Sequence, residues 1–232
     1  MINNNFINNF DFSKKIVYLL GGSGLIGSKT SKLYSELNAN LVILDKKKPE
    51  SSLDKKKYNF FKIDLKNLDK INFTKIFRDY GIPDVFINTS YPRDKYWHLS
   101  SFKKLNLKIL KSNINLHLNS YVWTAKIFAD AMVKNKKKGN IILLSSIYGL
   151  VGQDLNLYKD TEMQENAIYS IMKSGIINYT RQMSSYYGNK GIRVNSISPG
   201  GLYGHSVSSR SKTQNKIFLD RYSSKTPLSR LG

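Results

Sequence analysis

Residues 16–27 read IVYLLGGSGLIG, an apolar run that leads directly into a glycine-rich turn. The run predicts a buried β-strand, and the spacing of apolar residues after the turn predicts a helix that begins there. Glycines let the backbone approach a pyrophosphate closely, and the free N–H groups at the start of a helix stabilise its charge. We therefore expect a dinucleotide to bind against Gly21, Gly22, Ser23, Gly24, Leu25, Ile26 and Gly27.

Short apolar runs and longer stretches with helical spacing alternate along the chain. Five more runs predict strands, at residues 41–44, 60–63, 85–87, 141–144 and 194–197. Helices are predicted over residues 25–37, 68–80, 105–133, 167–187 and 215–222, the third range as two helices. This alternation predicts an α/β fold, a doubly wound parallel sheet in a three-layer α/β/α arrangement. We expect a single domain over residues 1–232, with an N-terminal extension at 1–14 and the last strand of the sheet missing after the final helix.

Composition limits the class of protein. The 232 residues contain no cysteine, only three scattered histidines and no long apolar run. We expect a cytoplasmic protein without disulfides, signal peptide, membrane span or metal site. The net charge of +21 is accounted for either by a solvated lysine-rich surface or by an anionic substrate or partner. A nucleic-acid partner is not expected, because neither interleaved aromatic residues nor a helix-turn-helix pattern accompanies the lysines.

Polar side chains follow the second, third and fourth predicted strands. Asp45 ends the second strand about 20 residues after the glycine turn, where a carboxylate accepts a hydrogen bond from a ribose 2′-hydroxyl group. It favours NAD, although the lysines at 46–48 weaken that preference and NADP is not excluded. Asp64 with Leu65, and Asn88, follow the next two strands, at the edge of the sheet where ligands bind. Asp64 fits the N-cap of a turn equally well.

A tyrosine and a lysine lie four residues apart in the predicted helix over residues 167–187, so they share one face. Tyr169 would titrate near pH 10 unless a cation such as Lys173 stabilised its phenolate. Ser146 ends the fifth predicted strand and brings a hydroxyl group to the same sheet edge. The tyrosine–lysine spacing alone is common on helix surfaces, but the ordered set from glycine turn to Lys173 predicts an active site.

This ordered set resembles the short-chain dehydrogenase/reductase family, whose sheet is of the Rossmann type, over residues 16–232. The resemblance implies an NAD(P)-dependent oxidoreductase that interconverts a secondary alcohol and a ketone. It implies that Tyr169 is the general acid or base, that Lys173 lowers the pKa of Tyr169 and binds the nicotinamide ribose, and that Ser146 orients the carbonyl group.

Two further segments carry the resemblance, residues 113–116 and 193–201. The first implies that Asn115 holds a water molecule in a proton relay behind Lys173. The second implies that the backbone of Pro199 and Gly200 lines the nicotinamide. The family pairs helices between subunits, so the resemblance also implies a homodimer or homotetramer.

The chain departs from the common family pattern near the substrate. The interval from Ser146 to Tyr169 is longer than usual, which predicts an insertion at residues 153–166. The substrate is expected to contact Ser146, Tyr91, Arg93 and His205, the last three in loops after the fourth and sixth strands.

The stretch at residues 91–93 and the insertion resemble a bacterial branch linked to flagellin modification and to nonulosonic-acid or other surface-sugar synthesis. That resemblance implies a phosphorylated or nucleotide-linked sugar as substrate. Two alternatives stay open: a 3-oxoacyl-carrier-protein reductase, and a non-catalytic module that only binds NAD.

Overall fold

Six parallel strands form one sheet in the computed structural model, which describes residues 10–50, 53–204 and 215–232. The strands are β1 (Ile16–Leu20), β2 (Asn40–Asp45), β3 (Tyr58–Lys62), β4 (Val85–Asn88), β5 (Gly139–Leu144) and β6 (Ile192–Ile197). Their order is β3-β2-β1-β4-β5-β6, with every neighbouring pair parallel. The strand order reverses between β1 and β4, and the crevice at such a reversal is where doubly wound sheets bind ligands.

Helices cover both faces of the sheet. They are α1 (Leu25–Glu36), α2 (Phe73–Tyr80), α3 (Leu107–Asn113), α4 (Asn119–Lys134), α5 (Ala167–Tyr187) and α6 (Lys216–Ser224). Side chains of β1 alternate between the two faces, as a pleated strand requires. Tyr18 packs in one core with residues of α2, α4 and α5, and Val17 packs in the other with Ile26 of α1. The predicted three-layer α/β fold is therefore confirmed.

The predicted helix start at residue 68 is wrong. Leu65–Lys70 form a 3-10 helix that is kinked at Asn67. The helix α2 begins at Phe73, and Asn72 caps it by accepting a hydrogen bond from the N–H group of Lys75. Apolar spacing does not distinguish a 3-10 turn from the first turn of an α-helix, whereas the cap at Asn72 does.

The helical stretch before β5 contains a turn that the sequence did not reveal. A π-helical turn, Ile114–Leu118, joins α3 to α4 without a break. A π-turn inserts an extra residue and rotates the side chains that follow it around the helix axis. Asn113 and His117 point into the protein, and Asn115 is exposed.

Candidate active site

The glycine turn between β1 and α1 leaves little space for side chains. Gly21 has a φ of +82°, and a Cβ there would lie 2.6 Å from the backbone of Ser90. A Cβ at Gly27 would lie 2.0 Å from the carbonyl oxygen of Gly21. Gly24 begins α1 without a side-chain cap, so the first N–H groups of the helix face no competing side chain. These features fit a bound pyrophosphate.

Asp45 lies against this turn. Its carboxylate accepts hydrogen bonds from the main-chain N–H groups of Ser23 (2.9 Å) and Lys47 (3.1 Å). The hydroxyl group of Ser23 donates to the carbonyl oxygen of Lys47 at 2.7 Å, which ties the turn to the end of β2. The structure thus brings together the glycine turn and the acid that the sequence predicted for the ribose.

Asp64 and Asn88 are held by protein partners. Asp64 forms an ion pair with Lys46 at 2.9 Å and accepts from the N–H group of Lys66, and these contacts lower the pKa of its carboxyl against the opposing effect of partial burial. The adjacent Leu65 begins the 3-10 helix. Asn88 is fully buried, accepts hydrogen bonds from the N–H and hydroxyl groups of Ser90 and donates to Thr124. Its side chain therefore shapes the loop after β4.

Ser146 and Tyr169 meet at the carboxyl end of β5. Ser146 lies beside the hydroxyl group of Tyr169; burial raises the pKa of Tyr169, and the interaction with Ser146 opposes the rise. The turn after Ser146 packs tightly on α5, since a Cβ at Gly149 would lie 2.7 Å from the backbone of Lys173. Asn166 caps α5 by accepting from the N–H group of Tyr169 at 2.9 Å, which sets where the helix begins.

Lys173 lies one turn further along α5 and is only 2% exposed. Its ammonium group donates to the carbonyl oxygen of Leu144 at 2.9 Å. It lies 5.6 Å from the ring centroid of Tyr169, 5.2 Å from that of Tyr121 and 5.8 Å from that of Tyr91, and ring faces attract a cation. Burial lowers the pKa of Lys173 to about 7. The cation beside the tyrosine is therefore easily deprotonated.

The side chain of Asn115 does not join this group. It is exposed on the outer side of the π-turn, and its Oδ1 atom accepts a hydrogen bond from Asn119 at 2.8 Å. His117 takes the inward position: it is fully buried and stacks on Tyr121 at 5.4 Å. The local sequence did not single out His117, because π-turns have no reliable residue pattern.

The backbone of Pro199 and Gly200 lies beside the same group. The carbonyl oxygen of Pro199 accepts from the N–H group of Ile147 at 3.1 Å, next to Ser146. A Cβ at Gly200 would lie 3.9 Å from the hydroxyl group of Tyr222, a residue of α6. The predicted nicotinamide-lining segment thus runs between the Ser146 turn and α6.

Of the substrate residues predicted in the loops, Tyr91 lies against Tyr169, and Arg93 lies against Tyr91. Tyr91 stands edge-on to the Tyr169 ring at 6.0 Å, and the guanidinium group of Arg93 lies 5.1 Å from the centroid of Tyr91. Trp97, which the sequence reasoning did not select, stands edge-on to Tyr91 at 5.5 Å. His205 lies outside the described residues.

The predicted insertion at 153–166 is fastened to α6. Leu157 is buried against Phe218 and Tyr222. Arg221 donates to the carbonyl oxygens of Asn156 and Lys159 and pairs with Asp160 at 2.9 Å. Sequence reasoning located the insertion but not this contact, which joins segments about sixty residues apart.

The described part of the chain holds neither a metal-binding cluster nor a membrane-spanning helix. Residues 10–50, 53–204 and 215–232 hold no group of three or more acidic or histidine side chains able to bind a metal ion. Within the same residues, no helix is both long and apolar enough to cross a bilayer.

Comparisons with known proteins point to one family. A family model described as short chain dehydrogenase matches residues 15–215. The post-translational flagellin modification protein A of Campylobacter coli is 28% identical over 219 residues, which cover 90% of this chain and 82% of that protein. A 3-oxoacyl-[acyl-carrier-protein] reductase of Buchnera aphidicola is 30% identical over 176 residues, 74% of this chain and 63% of that protein.

Solved structures agree with these sequence relatives. The crystal structure of a short chain dehydrogenase from Leptospira borgpetersenii with bound NAD+ superposes with a TM-score of 0.81 at 29% identity, covering 100% of this chain and 85% of that one. Since the family model spans most of the chain and the fold agrees, the protein belongs to the short-chain dehydrogenase family and is an NAD(P)-dependent oxidoreductase.

Proposed function

We propose that the protein interconverts a secondary alcohol and a ketone on a phosphorylated or nucleotide-linked sugar, in the synthesis of a surface glycan or a flagellin modification. The observation that carries the reaction type is the buried contact of Ser146, Tyr169 and Lys173 at the carboxyl edge of the sheet. Such an edge is where doubly wound sheets bind ligands.

The residues around the glycine turn fit NAD better than NADP. A carboxylate at Asp45 accepts from a ribose 2′-hydroxyl group and repels a 2′-phosphate. Lys46, the nearest lysine in sequence, is paired with Asp64 at 2.9 Å and so does not offset that repulsion freely. NAD is therefore the cofactor that we assign to this site.

The nicotinamide, when bound, supplies or accepts the hydride. In the direction of reduction, the hydroxyl group of Tyr169 donates a proton to the carbonyl oxygen, so hydride and proton together give the alcohol; oxidation reverses both transfers. Ser146 donates a hydrogen bond to the same oxygen and orients it. Lys173 stabilises the phenolate that Tyr169 becomes, and that phenolate in turn favours the protonated lysine.

Several features support a polar, anionic substrate. The net charge of +21 attracts phosphate groups, and Arg93 lies one ring away from Tyr169, by way of Tyr91. Tyr148 adds a phenol 6.4 Å from the ring of Tyr169. The Campylobacter relative, named for flagellin modification, covers most of the chain.

A 3-oxoacyl-carrier-protein reductase is the second candidate, favoured by the Buchnera relative and by the attraction of a positive surface for an acidic carrier protein. A module that binds NAD without turnover is a third. The contact among Ser146, Tyr169 and Lys173 argues against it, because binding NAD without turnover does not require a buried lysine beside a phenol.

The experiment is an NADH-oxidation assay of the purified protein with three sets of probes: UDP-linked 4-keto sugars, keto-sugar phosphates and 3-oxoacyl thioesters of acyl carrier protein. We expect turnover with a sugar set and none in the Tyr169→Phe variant, which should still bind NADH. Turnover with the thioesters alone would replace the proposed substrate class. No turnover with any probe, together with tight NADH binding, would favour the binding module.

We further propose that the protein works in the cytoplasm as a homodimer or homotetramer that pairs through α4. Trp123 on this helix is 47% exposed and lines a groove with Val122, Ile127 and Phe77 of α2. An exposed tryptophan in an apolar groove is typical of a protein–protein interface.

A further inference from the structure

His117 is a buried side chain that the proposed reaction leaves without a role. Its imidazole ring is 0% exposed. It stacks on Tyr121 with ring centroids 5.4 Å apart and an interplanar angle of 6°, and stands edge-on to Tyr91 at 5.3 Å. A histidine enclosed by aromatic rings has few hydrogen-bonding options, so each of its two nitrogens needs an account.

The contact at Pro92 determines the tautomer. Nδ1 of His117 lies 3.2 Å from the carbonyl oxygen of Pro92. A carbonyl oxygen only accepts hydrogen bonds, so Nδ1 carries the hydrogen and Nε2 of the neutral ring is an acceptor. Nε2 is buried and has no hydrogen-bond partner among the described residues. A buried acceptor of this kind is normally satisfied by a bound molecule such as water.

The charged groups around the ring keep it neutral. Burial lowers the pKa of His117 well below its usual value, the positive charges of Lys173 on α5 and Arg93 in the loop after β4 lower it further, and the hydrogen bond with Pro92 opposes them. The phenols of Tyr91 and Tyr121 are the other titratable groups that pack against the ring. Nε2 of His117 is therefore a neutral acceptor when the folded enzyme is near neutral pH.

Lys173 has hydrogens that need acceptors. Its ammonium group carries three hydrogens but, within the described residues, makes one hydrogen bond, to Leu144. It lies over the rings of Tyr91 (5.8 Å) and Tyr121 (5.2 Å), the same two rings against which His117 packs. Among the described residues, an acceptor without a donor and an ammonium group with two hydrogens not used thus share two aromatic neighbours.

We propose that Nε2 of His117 is the acceptor that positions the Lys173 ammonium group through bound water, in the role that the family resemblance gave to Asn115. His117 is a positioning residue, because it acts on Tyr169 only through Lys173. The inference rests on the proposed function only in that Lys173 serves Tyr169. The water-mediated hydrogen bond between His117 and Lys173 does not depend on which substrate the enzyme takes.

The first test observes the contact without a substrate. Nitrogen NMR of histidine-labelled protein with NADH bound resolves only three residues, His98, His117 and His205. We expect the Nδ1–H tautomer for His117 and an Nε2 signal typical of a hydrogen-bonded acceptor. Lys173→Met should shift that signal and leave His98 in place. An Nε2 signal that Lys173→Met does not move would overturn the inference.

The second test compares two substitutions of His117. His117→Phe keeps the ring that stacks on Tyr121 and removes the acceptor, whereas His117→Gln keeps an acceptor and removes the ring. We expect His117→Phe to lower kcat about 10-fold or more. The basic limb of the pH profile of reduction should move to lower pH, because the Lys173 ammonium group loses an acceptor and so gives up its proton at a lower pH. His117→Gln should recover most of both, and NADH binding should change little in either variant.

Two outward-facing variants complete the comparison. Asn119→Ala, on the outer side of the helix, should behave as wild type. If Asn115→Ala lowers kcat and moves the pH profile while His117→Phe does neither, the role belongs to Asn115 and the inference is wrong. This comparison does not need the His117→Gln variant, so it decides the question even if that variant folds poorly. Activity retained by Tyr169→Phe would instead overturn the proposed function, and the NMR result would still decide the contact at His117.

Discussion

The hydroxyl group of Ser145 donates a 2.8 Å hydrogen bond to the main-chain carbonyl oxygen of Lys173. Both residues are buried, and the bond joins the end of β5 to α5 at the turn that carries the lysine. Ser145 therefore fixes the distance between Ser146 on one element and Tyr169 and Lys173 on the other.

Replacing Ser145 with alanine tests this connection. We expect Ser145→Ala to lower the free energy of unfolding by about 1–3 kcal/mol, because a buried carbonyl loses its side-chain donor. Urea denaturation measures the loss. Ser174→Ala is the control, since that hydroxyl group makes a similar bond to Ile171 at an exposed position of the same helix and should contribute less than about 0.5 kcal/mol. Equal losses in the two variants would contradict the prediction.

Asp45 is expected to select NAD. Asp45→Ala removes the carboxylate that repels a 2′-phosphate and leaves the N–H groups of Ser23 and Lys47 free to bind one. Two like charges about 4 Å apart near a protein surface repel each other by about 1–4 kcal/mol. The ratio of kcat/KM for NAD to that for NADP should therefore fall at least about 10-fold. Asp54→Ala, at an exposed turn cap, should leave the ratio unchanged.

A methyl group at Gly149 is expected to separate the catalytic elements. The added Cβ would lie 2.7 Å from the backbone of Lys173, so Gly149→Ala pushes α5 away from Ser146. We expect a loss of about 1–3 kcal/mol in unfolding free energy and a lower kcat. Gly152→Ala is a matched control three residues on, where a Cβ meets nothing within 4 Å. Normal activity in Gly149→Ala would show that the turn moves freely.

Lys173 predicts a pH dependence of stability. Its folded-state pKa of about 7 lies below the value near 10.5 of an exposed lysine, so the unfolded chain binds more protons between these values. Stability of the cofactor-free protein should rise with pH across this window, by about 2–5 kcal/mol from this group. Urea denaturation of wild type and Lys173→Met at pH 6.5 and 9.5 isolates the contribution. The gap between the two proteins should change with pH, and a constant gap would refute a depressed pKa.

The groove along α4 predicts a dimer interface. Trp123→Glu places a charge at its exposed aromatic residue and should shift the protein toward monomers in light-scattering chromatography. Phe102→Glu is the control, because Phe102 is 77% exposed in a loop and does not line the groove. An unchanged mass for Trp123→Glu, in a protein that is dimeric as wild type, would move the interface elsewhere.

Much of the fold was readable because its signals are local. The β1 strand and the Ala167–Tyr187 helix begin and end where apolar spacing predicts. Prediction failed at turns that apolar spacing does not reveal. At residue 68 a 3-10 helix imitates the first turn of α2, and at Ile114 a π-turn breaks the regular spacing that a helical pattern assumes.

Sequence alone predicted the strands and helices along the chain, the glycine turn and the pairing of Tyr169 with Lys173, because each depends on residues adjacent in the chain or one helical turn apart. Tertiary structure decided which side chains of the π-turn face inward and how the insertion at 153–166 is held. Asn115 is exposed and His117 is buried, and the contact of Arg221 with Asp160 joins distant segments. Both depend on packing between elements, which local residue patterns do not encode.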